Sequence, residues 1–293
     1  MQIDGAPRRH ESALFRRLAL AGVRHGPGWF VRLSPRVIGA LFALVLPDER
    51  RRVLHALRRV HGPRAPHVEV RDVMKTFSDY AACLAEGLGA ERAEAAQAHV
   101  EVRGREHLTQ VLAAGKGAVL VTAHVGPWDA AARLLNADLG ARVVLVMEPE
   151  PDAEARALHD EVRRRAGVEV LAIGGTPLDA LPLLRHLKGG GLAAFQLDRS
   201  APSARVLGTS LFGRAFAVPE GPFRIAALAR IPVIPLFAAR LGYFSYAIEI
   251  GAPLHSALPL AEGELERTAG RAVRELERFI ASHPTQWFDF GDA

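Results

Sequence analysis

"GAVLVTAHVGPWDAAARLL", residues 117–135, holds the key to the fold. Gly117 opens a run of small and β-branched apolar residues that ends at His124, and Gly126–Pro127 then breaks the chain. After the break, apolar residues return at helical spacing. A short, wholly apolar run bounded by turn residues reads as a strand buried on both faces, and the helix after it reads as a crossover in a parallel sheet. The pattern recurs from residue 99 onward. Further runs stand at HVEV (99–102), RVVLVM (142–147), VEVLAI (168–173), GLAAFQL (191–197), PVIPLFAAR (232–240) and FSYAIEI (244–250). Helical stretches at 104–114, 127–139, 152–166, 176–188 and 219–230 separate most of them, and a last one, 261–282, precedes HPTQWFDF. The expected fold class is α/β, with a mixed, largely parallel sheet flanked by helices.

Upstream the pattern is helical throughout. Residues 12–60 read as helices broken near Gly26–Gly28 and Pro47, HGPRAPH (61–67) as a loop, and 68–89 as a helix again. An N-terminal helical subdomain (1–95) is thus expected to lead into an α/β domain (96–293). Charge divides at a similar place. Residues 1–60 hold twelve arginines against four acids, a surplus of eight, so the whole-chain charge of +5 leaves −3 for the rest. Leu14, Phe15, Leu18, Trp29, Phe30 and Leu33 are interleaved there with Arg16, Arg17, Arg24, Arg32 and Arg36. Apolar and aromatic groups among arginines describe an interfacial helix drawn to anionic lipid. The apolar run VIGALFALVL (37–46) falls short of the roughly 20 residues a span needs. PDERRR follows it where a cleavage site would stand, so neither a spanning segment nor a cleaved leader is expected.

In such sheets ligands bind beyond the carboxyl ends of the strands, which is where His124 falls. Pro127 suits a first helical position, and Asp129 then lies in the first turn, where the helix dipole favours a negative charge. A turn of this kind can fold the carboxylate onto one imidazole nitrogen, fixing the tautomer and freeing the other nitrogen as a base. The helix start also offers backbone donors to an oxyanion. Other chemistry is missing. There is no G-x-S-x-G elbow, no H-E-x-x-H, and neither a dinucleotide nor a P-loop glycine pattern. The single cysteine, Cys83, rules out an internal disulfide and a Cys-based zinc site. No metal and no cofactor are expected. A base with no nucleophile beside it implies that the substrate brings its own, as in transfer of an acyl group to a hydroxyl.

HVGPWD (124–129) resembles the H-x4-[DE] signature of glycerolipid-type acyltransferases, and the layout is similar to the bacterial lipid A late acyltransferases and the phosphatidylinositol mannoside acyltransferases. RRRAG (163–167) resembles the R-x-x-x-G element of that family, and FQLDRS (195–200) its strand ending in aspartate. The segment 211–237 resembles its F-F-G, Gly-Pro helix start and Pro-Val strand, and HPTQWFDF (283–290) its Pro-x-Gln-Trp close. The resemblance implies a cofactor-free O-acyltransferase with His124 as base and Asp129 as its partner. It also implies that Arg163, Asp198, Arg199 and Glu220 form the polar substrate-binding rim. The implied donor is an acyl carrier protein or coenzyme A thioester, and the implied acceptor a lipid or glycolipid. The implied location is the cytoplasmic face of the bacterial inner membrane, peripheral or monotopic. Asp129 replaces the more common Glu, and Pro127 the more common Asn, which leaves a lipid or a specialised metabolite open as acceptor. Thioester hydrolysis and non-catalytic lipid binding are the competing readings. No nucleic-acid partner is expected, because the basic segment holds no recognised binding motif.

Overall fold

The computed structural model describes residues 13–140, 142–147, 169–173, 180–200, 204–257 and 260–290. Proline and glycine punctuate the N-terminal third into α1 (Ala13–His25), α2 (Gly28–Val45), α3 (Pro47–His61), α4 (Pro66–Leu88) and a short α5 (Ala93–Ala96). Strands and helices then alternate: β1 (His99–Arg103), α6 (Arg105–Ala113), β2 (Ala118–Thr122), α7 (Trp128–Leu139), β3 (Val143–Met147) and β4 (Glu169–Ala172). They continue as α8 (Ala180–Lys188), β5 (Leu192–Gln196), β6 (Val206–Leu211), β7 (Arg214–Pro219) and α9 (Gly221–Ala229). β8 (Val233–Gly242), β9 (Ser245–Ile250) and α10 (Glu264–Ser282) complete the series.

Seven strands form one sheet in the order β1–β9–β8–β2–β5–β3–β4. Every pairing is parallel except β8 with β9, so the expected mixed, largely parallel sheet is what forms. β2 lies at its centre with all five residues buried, as the unbroken apolar run requires. One face packs on α8, α9 and α10 through Leu187, Phe223, Leu276 and Ile280. The other packs on α6 and α7 through Leu108, Ala131 and Leu135.

Several details depart from the sequence reading. β6 and β7 make a separate antiparallel hairpin that the pattern did not announce. Its two-residue turn, Phe212–Gly213, has both φ values positive (49° and 69°), the arrangement that matches strand twist but usually recruits Asn-Gly. The last helix starts at Glu264 rather than 261, behind Gly263 at φ 73°. Helix α7 begins at Trp128, with Pro127 immediately before it: the Pro127 carbonyl oxygen accepts from Ala131 N at 3.2 Å. The expected helix at 152–166 and the start of the one at 176–188 lie outside the described residues.

Two N-terminal helices also correct the reading. The 18 residues of α2 have a mean hydropathy of 1.4 even with Arg32 and Arg36 among them, so by length and composition the helix reaches the lower limit of a membrane span. It turns an unusual face inward: Val31, Pro35, Gly39 and Ala43, four apart, are buried. A Cβ at Gly39 would stand 2.6 Å from the Ser78 Cα, so only glycine permits this approach to α4. The large side chains face outward. Trp29, Leu33, Val37, Leu41, Leu44 and Val45 are all exposed, Val37 by 61%. On α4, acids recur every seven residues on the buried side. Asp72 pairs with Arg64 at 2.9 Å, Asp79 with Lys75 at 2.6 Å, and Glu86 with Arg240 at 2.7 Å.

Candidate active site

The ladder of β2 and β5 runs one step past the strands, where Leu197 N donates to Thr122 O at 2.8 Å. Beyond that step the two chains diverge, and each presents a polar residue: His124 from β2 and Asp198 from β5. Their side chains meet. His124 Nδ1 lies 2.9 Å from Asp198 Oδ1, and the backbone N–H of His124 donates to both carboxylate oxygens at 3.1 and 3.0 Å. Trp287 Nε1 is 3.4 Å from Oδ2. Asp198 is thereby enclosed, its side chain 5% exposed, while that of His124 keeps 18%. Burial alone would push the Asp198 carboxyl up. The charge of His124 and the hydrogen bonds it donates, with Arg199 adding its charge, outweigh burial and hold the group below the usual carboxylate range.

The turn carrying His124 is fixed from several sides. Val125 N closes a tight turn on Ala123 O at 2.7 Å. Gly126 sits at φ 49°, and a Cβ there would come within 2.1 Å of Ala238 O, so glycine is obligatory. The C-terminal segment supplies the remaining bonds: Gly126 N donates to Gln286 O at 2.8 Å, and Phe288 N to His124 O at 2.8 Å. Val125 and Trp287 form an isolated antiparallel bridge. Trp128, the first residue of α7, stands edge-on to the His124 ring at 6.0 Å.

With Nδ1 held by a carboxylate, the tautomer is fixed with its proton on Nδ1, and Nε2 is the nitrogen left for chemistry. That arrangement can take a proton from a hydroxyl and return it to a leaving group. Among the described residues, no three His, Cys, Asp or Glu side chains converge as a metal site would require.

Residues 14–291 match the family of bacterial lipid A biosynthesis acyltransferases. The chain belongs to that family. Similar curated proteins include the phosphatidylinositol mannoside acyltransferase of Mycobacterium tuberculosis, 26% identical over 64% of this chain and 57% of that protein. A lipid A biosynthesis acyltransferase of Haemophilus influenzae is 26% identical over 65% of this chain and 58% of its own length. The match with the Mycolicibacterium smegmatis phosphatidylinositol mannoside acyltransferase is 25% over 62% of this chain and 58% of the relative. The chain thus matches rather more than half the length of these relatives.

The other residues expected at the site of this family member fall in different places. Arg199 follows Asp198 on the rim, exposed, with Nη2 3.4 Å from Phe288 O. Glu220 is buried at the start of α9, where Arg224 Nε donates to it at 2.9 Å. Its carboxylate thus serves a pair one helical turn on. Asp129 is the second residue of α7; its side chain, and the whole of Arg163, lie outside the described residues. Sequence reasoning assigned Asp198 to substrate and did not anticipate its bond to Nδ1. Trp287, in the Pro-x-Gln-Trp close, both packs in the core and donates to Asp198.

Proposed function

We propose that this chain is an O-acyltransferase that moves a fatty acyl group from an acyl thioester to a hydroxyl of a lipid or glycolipid. The observation that carries the reading is the His124–Asp198 pair, one member partly exposed and the other enclosed. Nε2 of His124 takes the proton of the acceptor hydroxyl. The oxygen attacks the thioester carbonyl carbon, a C–O bond forms, and the C–S bond breaks. The departing thiolate receives the proton from the imidazolium, which Asp198 stabilises meanwhile. A base positioned in this way is worth about 10²–10⁴ in rate. Asp129, in the first turn of α7, is assigned here as a second carboxylate that assists the imidazolium, and Arg163 and Arg199 as the residues that meet the polar parts of the substrates. Glu220 serves the start of α9 through Arg224.

Family membership and the names of the relatives support a glycolipid acceptor; the donor in this reading is a thioester of acyl carrier protein or coenzyme A. The helical region 1–95 is the membrane-associating part and 96–293 the catalytic part in this reading. Support for the membrane comes from α2, whose small residues face the protein and whose large ones face out, the reverse of a water-facing helix. With Arg32 and Arg36 exposed on the same helix, it suits the anionic cytoplasmic face of the bacterial inner membrane, lying in the surface rather than crossing it.

The direct test incubates purified protein with acyl carrier protein and coenzyme A thioesters and a panel of lipid acceptors, and reads product masses. An acylated lipid that is absent with His124→Ala supports the proposal. Free fatty acid with no acylated lipid would make the chain a thioester hydrolase instead.

A further inference from the structure

Among the described residues four buried side-chain polar atoms have no hydrogen-bond partner, and two of them stand on neighbouring strands beside the site. Thr122 Oγ1 and Gln196 Nε2 are both buried and unbonded. Thr122 ends β2 and Gln196 ends β5; the two are register partners, so their side chains leave the same face of the sheet. Each stands two residues before a member of the pair already described, Thr122 before His124 and Gln196 before Asp198. Buried polar groups are nearly always bonded, so two adjacent orphans beside a reactive histidine call for an occupant.

The surroundings narrow its chemistry. Thr122, itself 5% exposed, lines a cavity of about 10 Å³ between α7 and the sheet, with Leu120, Leu135, Leu145 and Ala194 among its walls. Trp128 also lines it, the same ring that stands edge-on to His124. Such a volume suits a single oxygen atom rather than a chain. Aliphatic walls disfavour an ionic oxygen of phosphate or carboxylate and accept a neutral carbonyl, whose charge grows only as it is attacked. A threonine hydroxyl and an amide N–H are two donors, the number an oxyanion site commonly offers.

The geometry points to Thr122 Oγ1 and Gln196 Nε2 as the donors that hold the carbonyl oxygen of the acyl thioester while His124 activates the acceptor. This rests on the acyl-transfer reading. The oxygen lies between these two side chains, at the Thr122 edge of the cavity, and gains both hydrogen bonds as it becomes an oxyanion. A buried water is the competing occupant.

The experiment uses dodecanoyl-pantetheine, the thioester portion that coenzyme A and acyl carrier protein share, labelled with ¹³C at the carbonyl. Infrared difference spectra are recorded on the His124→Ala protein, alone and combined with Thr122→Val, Thr122→Ser or Gln196→Met. Steady-state rates are measured on the same three substitutions in the wild-type background. The carbonyl stretch should move to lower frequency on binding, lose that shift with Val or Met, and keep it with Ser. Thr122→Val and Gln196→Met should each lower kcat by about 10²–10³, with the donor KM within about threefold of wild type. Valine is close in shape and removes a hydroxyl with no partner, so the thermal midpoint should hold or rise. Transfer at the wild-type rate with an unshifted carbonyl would overturn the donor pair and leave acyl transfer standing. A shifted carbonyl without transfer to any acceptor would support the pair and count against the transferase. A lower midpoint for Thr122→Val with unchanged kcat would assign the hydroxyl to a bound water and overturn the pair. No binding of the thioester by the wild-type chain would overturn both.

Discussion

Asp198→Asn tests the site most sharply, because the surrounding donors dictate how asparagine must sit. In the native protein Oδ2 accepts from His124 N at 3.0 Å and lies 3.4 Å from Trp287 Nε1, while Oδ1 accepts from Nδ1 at 2.9 Å. Asparagine has one oxygen and one NH₂ group. Placing the NH₂ toward Trp287 Nε1 would set donor against donor, whereas the His124 backbone N–H reaches both oxygens, at 3.1 and 3.0 Å, and favours neither placement. The oxygen therefore takes the Oδ2 position, and the NH₂ faces Nδ1. Nδ1 then has to accept, which moves the ring proton to Nε2, the nitrogen that should remove a proton from the acceptor. The base is thus present in the wrong tautomer, and the imidazolium loses its counter-charge. Turnover should fall about 10³–10⁴-fold, on the pattern of carboxylate-to-amide changes in hydrolase triads, a barrier increase of about 4–5.5 kcal/mol. The assay is single-turnover transfer at saturating donor and neutral pH, with circular dichroism to confirm folding. A folded Asp198→Asn protein within threefold of the wild-type rate would refute the assignment of Nε2 as base. A second readout follows from the lowered carboxyl pKa of Asp198. A depressed folded pKa contributes stability that is full above the unfolded value, about 3.9, and is lost as pH falls through the folded one. Acid unfolding of the wild type should therefore be steeper below about pH 4 than that of Asp198→Asn.

Three further outcomes are expected. Asp129→Asn should slow transfer about 10²–10⁴-fold if its charge assists the imidazolium; wild-type turnover would leave Asp129 only a first-turn acid of α7. Replacing Leu33, Val37 and Leu41 by serine should cut binding to anionic vesicles at least tenfold, since each large apolar side chain is worth about 1.5–3 kcal/mol when fully buried. Co-sedimentation at low and high salt reads this, with loss of binding on adding salt for the Arg32 and Arg36 share; a triple variant that binds as the wild type does would remove α2 from the membrane surface. Glu86→Gln leaves the Arg240 guanidinium, bonded to Glu86 at 2.8 Å, without its counter-charge and should destabilise the protein by on the order of 3 kcal/mol in urea unfolding; an unchanged midpoint would mean that Arg240 finds another acceptor.

Much of this architecture could be read before the structure. The seven main strands and most helices follow from apolar runs and glycine or proline breaks, because a strand buried on both faces leaves no room for polar residues. The β6–β7 hairpin escaped because its turn is Phe-Gly, which carries none of the usual turn chemistry, and its strands are half exposed. The site was legible on one side only. His124 at a strand end and an acid five residues on satisfy a local rule, and local rules favoured Asp129 as partner. The contact with Asp198 spans 74 residues and depends on β5 lying next to β2, a neighbour relation that no periodicity encodes. The seven-residue recurrence of Asp72, Asp79 and Glu86 was visible, and acids at helical spacing on the face that carries Val73, Thr76 and Phe77 would have signalled a buried ionic seam.

The C-terminal segment 283–290 gives that seam its consequence. Thr285 Oγ1 donates to Asp79 of α4 at 2.8 Å, and the Gln286 amide clasps the backbone of Arg240 on both sides, at 2.8 and 2.9 Å. The next residues reach the reactive turn: Trp287 touches Asp198, and Phe288 N donates to His124 O. Phe290 then returns to α4, its ring 5.2 Å from Phe77 and 5.0 Å from Tyr80. α4 is also the helix on which α2 rests through Gly39, at backbone contact. A continuous path of short contacts therefore runs from the outward apolar face of α2, through α4 and residues 285–288, to the histidine. If α2 lies in the bilayer surface as proposed, this path sets the height of Nε2 above it. A lipid acceptor is confined to that surface and presents its hydroxyl at a nearly fixed depth, so holding the base at a matching height removes a search the substrate would otherwise make. This gives a physical reason for an acyltransferase of this family to place charged residues in the seam: the Glu86–Arg240 pair, the Thr285–Asp79 bond and the paired amide bonds of Gln286 fix register between layers, where apolar packing alone would let them slide.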